Sequence, residues 1–249
     1  MIRSPVAEMS AGSANATRPS PVAILVNGPS SSGKSTICRA LQDRLTELAN
    51  GNADAAFARV AFDDVGVLMS DKLTPISFAK LQGGDLTRLI SRQPHDGRAG
   101  WEYLDESHAD GRHGGKPRLR LALNPHARRL LSGSHRSWGQ HLALGTNLII
   151  DHFLQEKEWT DEVLGVLRES GARVFLVGVF CSVAELERRE SSRDGGEVRP
   201  PGLARRSDEL CHSHDLDYDV TVRTDEQSTA ESVEAIVATM RDAGLLPQL

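Results

Sequence analysis

The sequence predicts an α/β fold: a five-stranded, mostly parallel sheet with helices on both faces. Three observations carry the prediction. Short apolar runs rich in β-branched residues alternate with helical apolar patterns along most of the chain. The first run leads into a glycine-rich loop that opens a helix. Two later runs end in aspartate, at Asp63-Asp64 and at Asp151.

The elements follow in order. Residues 1–20, rich in Ser, Ala and Pro and without apolar periodicity, are expected to be a disordered tail. Pro21 to Asn27 (PVAILVN) is a continuous apolar run, as suits a strand buried on both faces. After the loop, Ile37, Leu41, Leu45 and Leu48 recur at helical spacing. Phe57 to Phe62 reads as a second strand and Asn147 to Asp151 as a third. Arg173 to Phe180 is the fourth and most apolar, and Tyr218 to Arg223 is a weaker fifth. Asn124-Pro125 reads as a cap with proline at the first helical position, leading a helix to about Leu144. Trp159 to Leu167 and Val183 to about Arg193 read as further helices. Ser228 and Glu231 form a capping-box pattern before the last helix. Residues 71–123 break the rhythm. A short helix is expected at Ser77 to Ser91, then a polar, turn-rich stretch from Gln93 to Pro117 holding Trp101 and Tyr103. A segment of this length in a compact α/β domain is expected to be a lid or binding loop.

Composition bounds the function. The chain has 249 residues, 29 Lys and Arg against 34 Asp and Glu, and a net charge of −5. That balance argues against nucleic acid or an anionic membrane face held by charge, and no apolar run is long enough to span a bilayer. The N-terminal residues lack the apolar stretch of a secretory signal, so the expected location is the cytoplasm. The three cysteines, Cys38, Cys181 and Cys211, lack metal-ligand or disulfide spacing and read as buried packing residues.

Gly28-Pro29-Ser30-Ser31-Ser32-Gly33-Lys34-Ser35 fits G-x-x-x-x-G-K-[ST]. Such a loop curls so that backbone N–H groups meet phosphate oxygens, and the following helix N-terminus adds its dipole. Gly28, Ser30, Ser31, Ser32, Gly33, Lys34, Ser35 and Thr36 are therefore the expected nucleotide-binding set. Lys34 would reach the β- and γ-phosphates, and the Ser35 hydroxyl would ligate Mg²⁺. Asp151, ending an apolar strand, either serves that metal or caps the next helix. Asp63 or Asp64 either takes the proton of an acceptor hydroxyl or caps the short helix from Val65 to Met69. Asp63-Asp64-Val65-Gly66 also fits the D-x-x-G of GTPase switches, but no N-K-x-D guanine signature accompanies it. Arg188, Arg189, Arg193, Arg199, Arg205 and Arg206 could line a closing lid over residues 188–206, or form a solvated face paired with Glu185, Glu187 and Glu190. His152, His212 and His214 suggest metal only weakly.

The chain resembles the chloramphenicol phosphotransferase family of P-loop kinases. The resemblance rests on Ile24 to Gln42, VAFDDVGVLM, the NP…R stretch at Asn124 to Arg128, LIIDHF, VGVFCSVAELERRESSR and YDVTVRTD. It implies a P-loop kinase domain over residues 21–246 that moves the γ-phosphate of ATP, with Mg²⁺, to a hydroxyl of an antibiotic or related small molecule. It implies Asp63 as the base, because aligning Met69 with the family pattern puts Asp63 in register, and Arg189 and Arg193 as lid arginines. Two departures stand out: His152 replaces a second acid, and residues 70–123 are longer than the family's equivalent. Trp101 and Tyr103 in that insertion are expected to cover the acceptor. A nucleoside or sugar-nucleotide kinase of the zeta-toxin-like branch is the nearest alternative; a nucleotide switch without an acceptor is the other. The expected partner is a small hydroxylated acceptor, and a homo-oligomer is left open.

Overall fold

The computed structural model describes residues 19–69, 90–91, 100–107, 116–192 and 201–246. Most of the N-terminal tail, most of the Ser77 to Ser91 helix, much of the Gln93 to Pro117 stretch, and Arg193, Arg199 and Pro200 lie outside the described residues. The main sheet comprises β1 (Val22–Asn27), β2 (Phe57–Ala61), β6 (Asn147–His152), β7 (Arg173–Phe180) and β8 (Val220–Arg223), in the order β2-β6-β1-β7-β8. Every pairing is parallel. Among the described residues no helix is long and apolar enough to cross a membrane.

The strand period of two explains the layers. In β1, Val22, Ile24 and Val26 face one core with Ile37 and Leu41 of α1 (Lys34–Ala49) and Ile236 and Val237 of α7 (Thr229–Asp242). Ala23 and Leu25 face the other core, with Trp138 and Leu142 of α3 (Pro125–Ala143) and Val163 and Leu167 of α4 (Lys157–Glu169). The same alternation along β6 puts Ile149 with the α1 core and Leu148 and Ile150 with the α3/α4 core. Asp151 and His152 continue it, so they leave the strand on opposite faces.

Local signals set the helix ends. The Asn124 carboxamide accepts from the Ala127 N–H at 2.8 Å, ahead of Pro125 in the first turn. Ser228 and Glu231 complete a reciprocal capping box. Such caps contribute about 1 kcal/mol each.

Beyond the C-terminal edge of the sheet lies a smaller one: β3 (Ile90–Ser91), β4 (Trp101–Asp105) and β5 (Leu119–Leu123), with β4 and β5 antiparallel. β4 corrects the expectation of a purely polar, turn-rich stretch. Trp101, Tyr103 and Leu104 are buried, and Trp101 and Tyr103 join a third core with Phe62, Val65, Leu121 and Phe153. The burial of alternate residues carries the strand; the polar residues between them hid it. Likewise β3 occupies the end of the expected Ser77 to Ser91 helix. The remaining elements are α2 (Asp64–Val67), α5 (Val183–Ser191) and α6 (Leu203–Cys211).

Candidate active site

The loop between β1 and α1 folds as its residues require. A Cβ on Gly28 would meet the Val179 carbonyl oxygen at 2.4 Å, and Gly33 holds φ +89°. Ser31 also has positive φ, at 64°. Among the described residues the Ser31 and Ser32 hydroxyl oxygens are buried without a partner, which fits a loop whose remaining partners are ligand oxygens. The Lys34 ammonium donates to the Pro29 carbonyl at 2.8 Å and lies 6.0 Å from the centre of the Phe153 ring. The Ser30 N–H donates to Ser207 Oγ of α6 at 2.9 Å.

Asp151 lies opposite Val26 in the β1–β6 register, which brings its carboxylate to the start of α1. It is 7% exposed. Burial raises its pKa, while Lys34 and a hydrogen bond with the Ser35 hydroxyl pull the other way. The carboxylate is therefore engaged with the start of the loop helix, and the next helix, α4, has Glu156 at its N-cap. Among the described residues there is no cluster of three or more His, Cys, Asp and Glu that would hold a metal unaided. One carboxylate and one hydroxyl suit Mg²⁺ instead, a cation that relies on substrate phosphates and water for its other ligands.

Asp63 and Asp64 part company. Asp63 lines a cleft of about 410 Å³ together with Lys34, Ser35 and Asp151. It precedes α2 without making a side-chain cap. Asp64 turns its carboxylate back onto its own chain. Phe62, Trp101, Tyr103, Phe153 and Leu203 form the apolar wall of the same cleft. Trp101 packs against Gly66, where a Cβ would meet the edge of its ring, Cη2, at 2.5 Å. Trp101 and Tyr103 are thus both cleft lining and core, each 2% exposed.

A second cleft of about 320 Å³ opens on the other side of the loop, bounded by Arg189, Thr224, Gln227 and Thr229. Both clefts share Ser31, Gly33 and Thr36. Arg189 donates to the Thr224 hydroxyl at 2.9 Å, to the Thr224 carbonyl at 2.8 Å and to Glu185 at 2.8 Å. Thr224 in turn donates to the Ser32 carbonyl at 2.7 Å. Arg189 therefore braces the phosphate loop from the second cleft. The other described arginines of residues 188–206 are engaged by carboxylates: Arg188 by Glu185, Arg205 by Glu187, and Arg206 by Glu106 and Glu209. Glu190 adds a tie that the sequence did not reveal, accepting from the Gly202 and Ala204 N–H groups at the start of α6 at 2.8 and 2.7 Å.

His152, fully buried, has both ring nitrogens occupied. Its Nδ1 accepts from the Phe153 N–H at 2.8 Å, so the proton sits on Nε2, which donates to His135 Nε2 at 2.9 Å. The proton on His135 Nδ1 then faces Glu162 at 3.2 Å. Burial holds His152 well below the usual imidazole range. This side chain contributes shape to the cleft; it has no nitrogen left for proton transfer. His212 stacks on Phe180 and meets the Tyr218 hydroxyl at 2.8 Å, while His214 meets the Gln155 carbonyl at 3.1 Å. His135, Gln155 and Ser207 were not visible in the sequence as site residues, because each acts through a long-range contact with no local motif.

A sequence model of the family described as chloramphenicol phosphotransferase-like protein matches residues 103–241, more than half of the chain. No curated protein matches significantly. Among solved structures, the chain is similar to an unliganded sugar kinase from Janibacter, at 14% identity and TM-score 0.52, covering 93% of this chain and 100% of that one. It is similar to the Mycobacterium tuberculosis APS kinase bound to AMPPNP and APS, at 14% identity and TM-score 0.52, covering 90% and 99%. A gluconokinase from Sinorhizobium meliloti gives 17% identity and TM-score 0.51, covering 91% and 94%. Identities this low speak for the fold alone, and that fold is the P-loop kinase fold.

Proposed function

The chain belongs to the chloramphenicol phosphotransferase-like family, a P-loop phosphotransferase by family and fold, and from that premise we propose that it phosphorylates a hydroxyl of an antibiotic or related small natural product with ATP. The observation that carries the reading is a single cleft holding Lys34, Ser35, Asp151 and Asp63 at one end and an aromatic wall at the other. The nucleotide base occupies the second cleft, beside Arg189, Thr224 and Gln227. The phosphates cross the shared loop to Lys34. The acceptor lies against Phe62, Trp101 and Tyr103, with its hydroxyl toward Asp63.

Asp63 takes the hydroxyl proton as the acceptor oxygen bonds to the γ-phosphorus and the bond from that phosphorus to the ADP oxygen breaks. Lys34 and the loop N–H groups stabilise charge on the transferring and leaving oxygens. Ser35 and Asp151 would hold Mg²⁺, which supplies further charge neutralisation when bound. The apolar wall favours an acceptor with a ring or other flat apolar body.

The test is mass spectrometry of the protein incubated with ATP, Mg²⁺ and a panel containing chloramphenicol, other hydroxylated antibiotics, nucleosides, gluconate and APS. Gain of one phosphate on an antibiotic or similar ring-bearing alcohol is expected. Phosphorylation of gluconate or a nucleoside alone would reject the reading.

A further inference from the structure

The small sheet that walls the cleft is not a continuation of the main sheet. Among the described residues β3 and β5 are its edge strands, and the outer edge of β5 at Leu121 meets a side chain. Gln155, 1% exposed in the segment after β6, accepts from the Leu121 N–H through Oε1 at 3.2 Å and donates through Nε2 to the Leu121 carbonyl at 2.6 Å. One carboxamide thereby makes the two bonds that a neighbouring strand would make. Its own backbone is fixed on both sides: the Gln155 N–H donates to the Phe153 carbonyl at 2.9 Å, and its carbonyl accepts from His214 Nε2 at 3.1 Å.

The two ends of this clamp belong to opposite sides of the cleft. Asp151 and Phe153, shortly before Gln155, line it from the main sheet. Leu121 lies opposite Tyr103 in the β4–β5 register, and both line it from the small sheet. The other end of β5 is held elsewhere: the Leu119 N–H donates to the Gly202 carbonyl at 3.1 Å, and Arg118 pairs with Glu209. The Arg120 side chain, next to Leu121, pairs with Glu106 at 2.6 Å and with Glu156 at 2.9 Å. Loss of the Gln155 amide would remove the clamp on the β5 backbone at Leu121, where the wall meets the acceptor, and leave these side-chain ties in place.

We propose that Gln155 is a positioning residue that sets acceptor affinity, and hence acceptor selectivity, by fixing the separation between the Asp151 strand end and the Tyr103–Leu121 wall. The proposal rests on the acceptor reading above, and its test has an arm that needs no acceptor. Gln155→Ala removes both bonds. Gln155→Glu keeps the length and the acceptor for the Leu121 N–H but turns a carboxylate toward the Leu121 carbonyl, and serves should the alanine variant fail to fold.

Each variant is compared with the wild type for amide hydrogen exchange over residues 119–123 and over β1, for affinity toward a fluorescent ADP analogue, and for kcat and KM with the alcohol that the panel selects. Exchange over 119–123 is expected to accelerate about tenfold or more, as for loss of a buried bond near 1.4 kcal/mol, with β1 unchanged. ADP affinity should stay within about twofold while acceptor KM rises about tenfold. Unchanged exchange and acceptor KM would overturn the clamp. So would a parallel fall in ADP affinity and faster exchange throughout, which marks a general loss of structure. If the wild type phosphorylates no alcohol, the acceptor reading fails and the exchange arm alone decides for or against the clamp.

Discussion

The Asp64 carboxylate accepts from the Ala61 N–H at 2.9 Å, three residues back along its own chain. The bond closes the turn from β2 into α2 and commits Asp64 to the backbone, while its neighbour Asp63 lines the cleft. The two adjacent acids should therefore respond differently to the same change. Asp63→Asn is expected to keep ATP affinity and to lose on the order of 10²–10⁴ in kcat. Asp64→Asn should lower stability by about 1 kcal/mol and leave kcat within a few-fold. Steady-state kinetics and urea melts on both variants check this; the opposite ranking would assign proton transfer to Asp64.

Asp151 sets stability against function. Burial raises its pKa, with Lys34 and Ser35 opposing. A carboxyl whose folded pKa lies above its unfolded value of about 3.9 is most favourable to folding when protonated, and that contribution declines as pH rises through the folded value. Asp151→Asn should relieve the cost of burying a carboxylate and raise the thermal midpoint of the nucleotide-free protein by roughly 2–4 °C per kcal/mol recovered. The same change should abolish most Mg²⁺-dependent turnover. A lower midpoint in differential scanning calorimetry would mean that the Lys34 and Ser35 contacts outweigh the cost of burial.

Trp101 carries a double load, because it is 2% exposed, rests on Gly66 and lines the cleft. Trp101→Ala would excavate a core and cost about 3–5 kcal/mol, which obscures any effect on binding. Trp101→Phe is the cleaner probe. It should raise acceptor KM several-fold, leave KM for ATP nearly unchanged and lower stability by a smaller amount. Equal effects on both KM values would make Trp101 a packing residue alone.

Much of this architecture is legible in the sequence, and the rest depends on tertiary contacts. The five main strands and most of the helices around them were legible because they carry their own periodicity and, at Ser228 and Asn124, their own caps; α6 was not read in advance. The loop at Gly28 to Ser35 was legible because backbone curvature and phosphate contact demand particular residue types at fixed spacing. Asp63 and Asp64 could not be separated by pattern, since a side chain's choice between its own backbone and a cleft depends on the turn geometry. β4 was missed because burial against Phe62 and Val65 is a tertiary contact. The Thr224 contacts of Arg189 were not legible, because Thr224 is distant along the chain. Gln155 gave no signal, because its importance lies in the edge strand it meets.

The buried histidines give the last prediction. His135 is drawn down to about 4, chiefly by burial, with Glu162 opposing, and His152 is held well below the usual range by burial. His212, stacked on Phe180, is likewise drawn to about 4 by burial. In the unfolded chain these imidazoles titrate near 6.5. Between about pH 6.5 and pH 4 the unfolded state therefore binds more protons, and stability must fall as the pH falls through that window. Each such imidazole contributes a slope approaching about 1.4 kcal/mol per pH unit. Glu185, held near 2 by Arg188 and Arg189, begins to matter only at lower pH. Urea melts should thus show a clear loss of stability from pH 7 to pH 5. His135→Gln should reduce that loss, because its carboxamide can accept from His152 Nε2 and donate to Glu162 without titrating. Equal stability of the wild type at pH 7 and pH 5 would show that the fold accepts these protons without cost, and would break the assigned chain from the Phe153 N–H to Glu162.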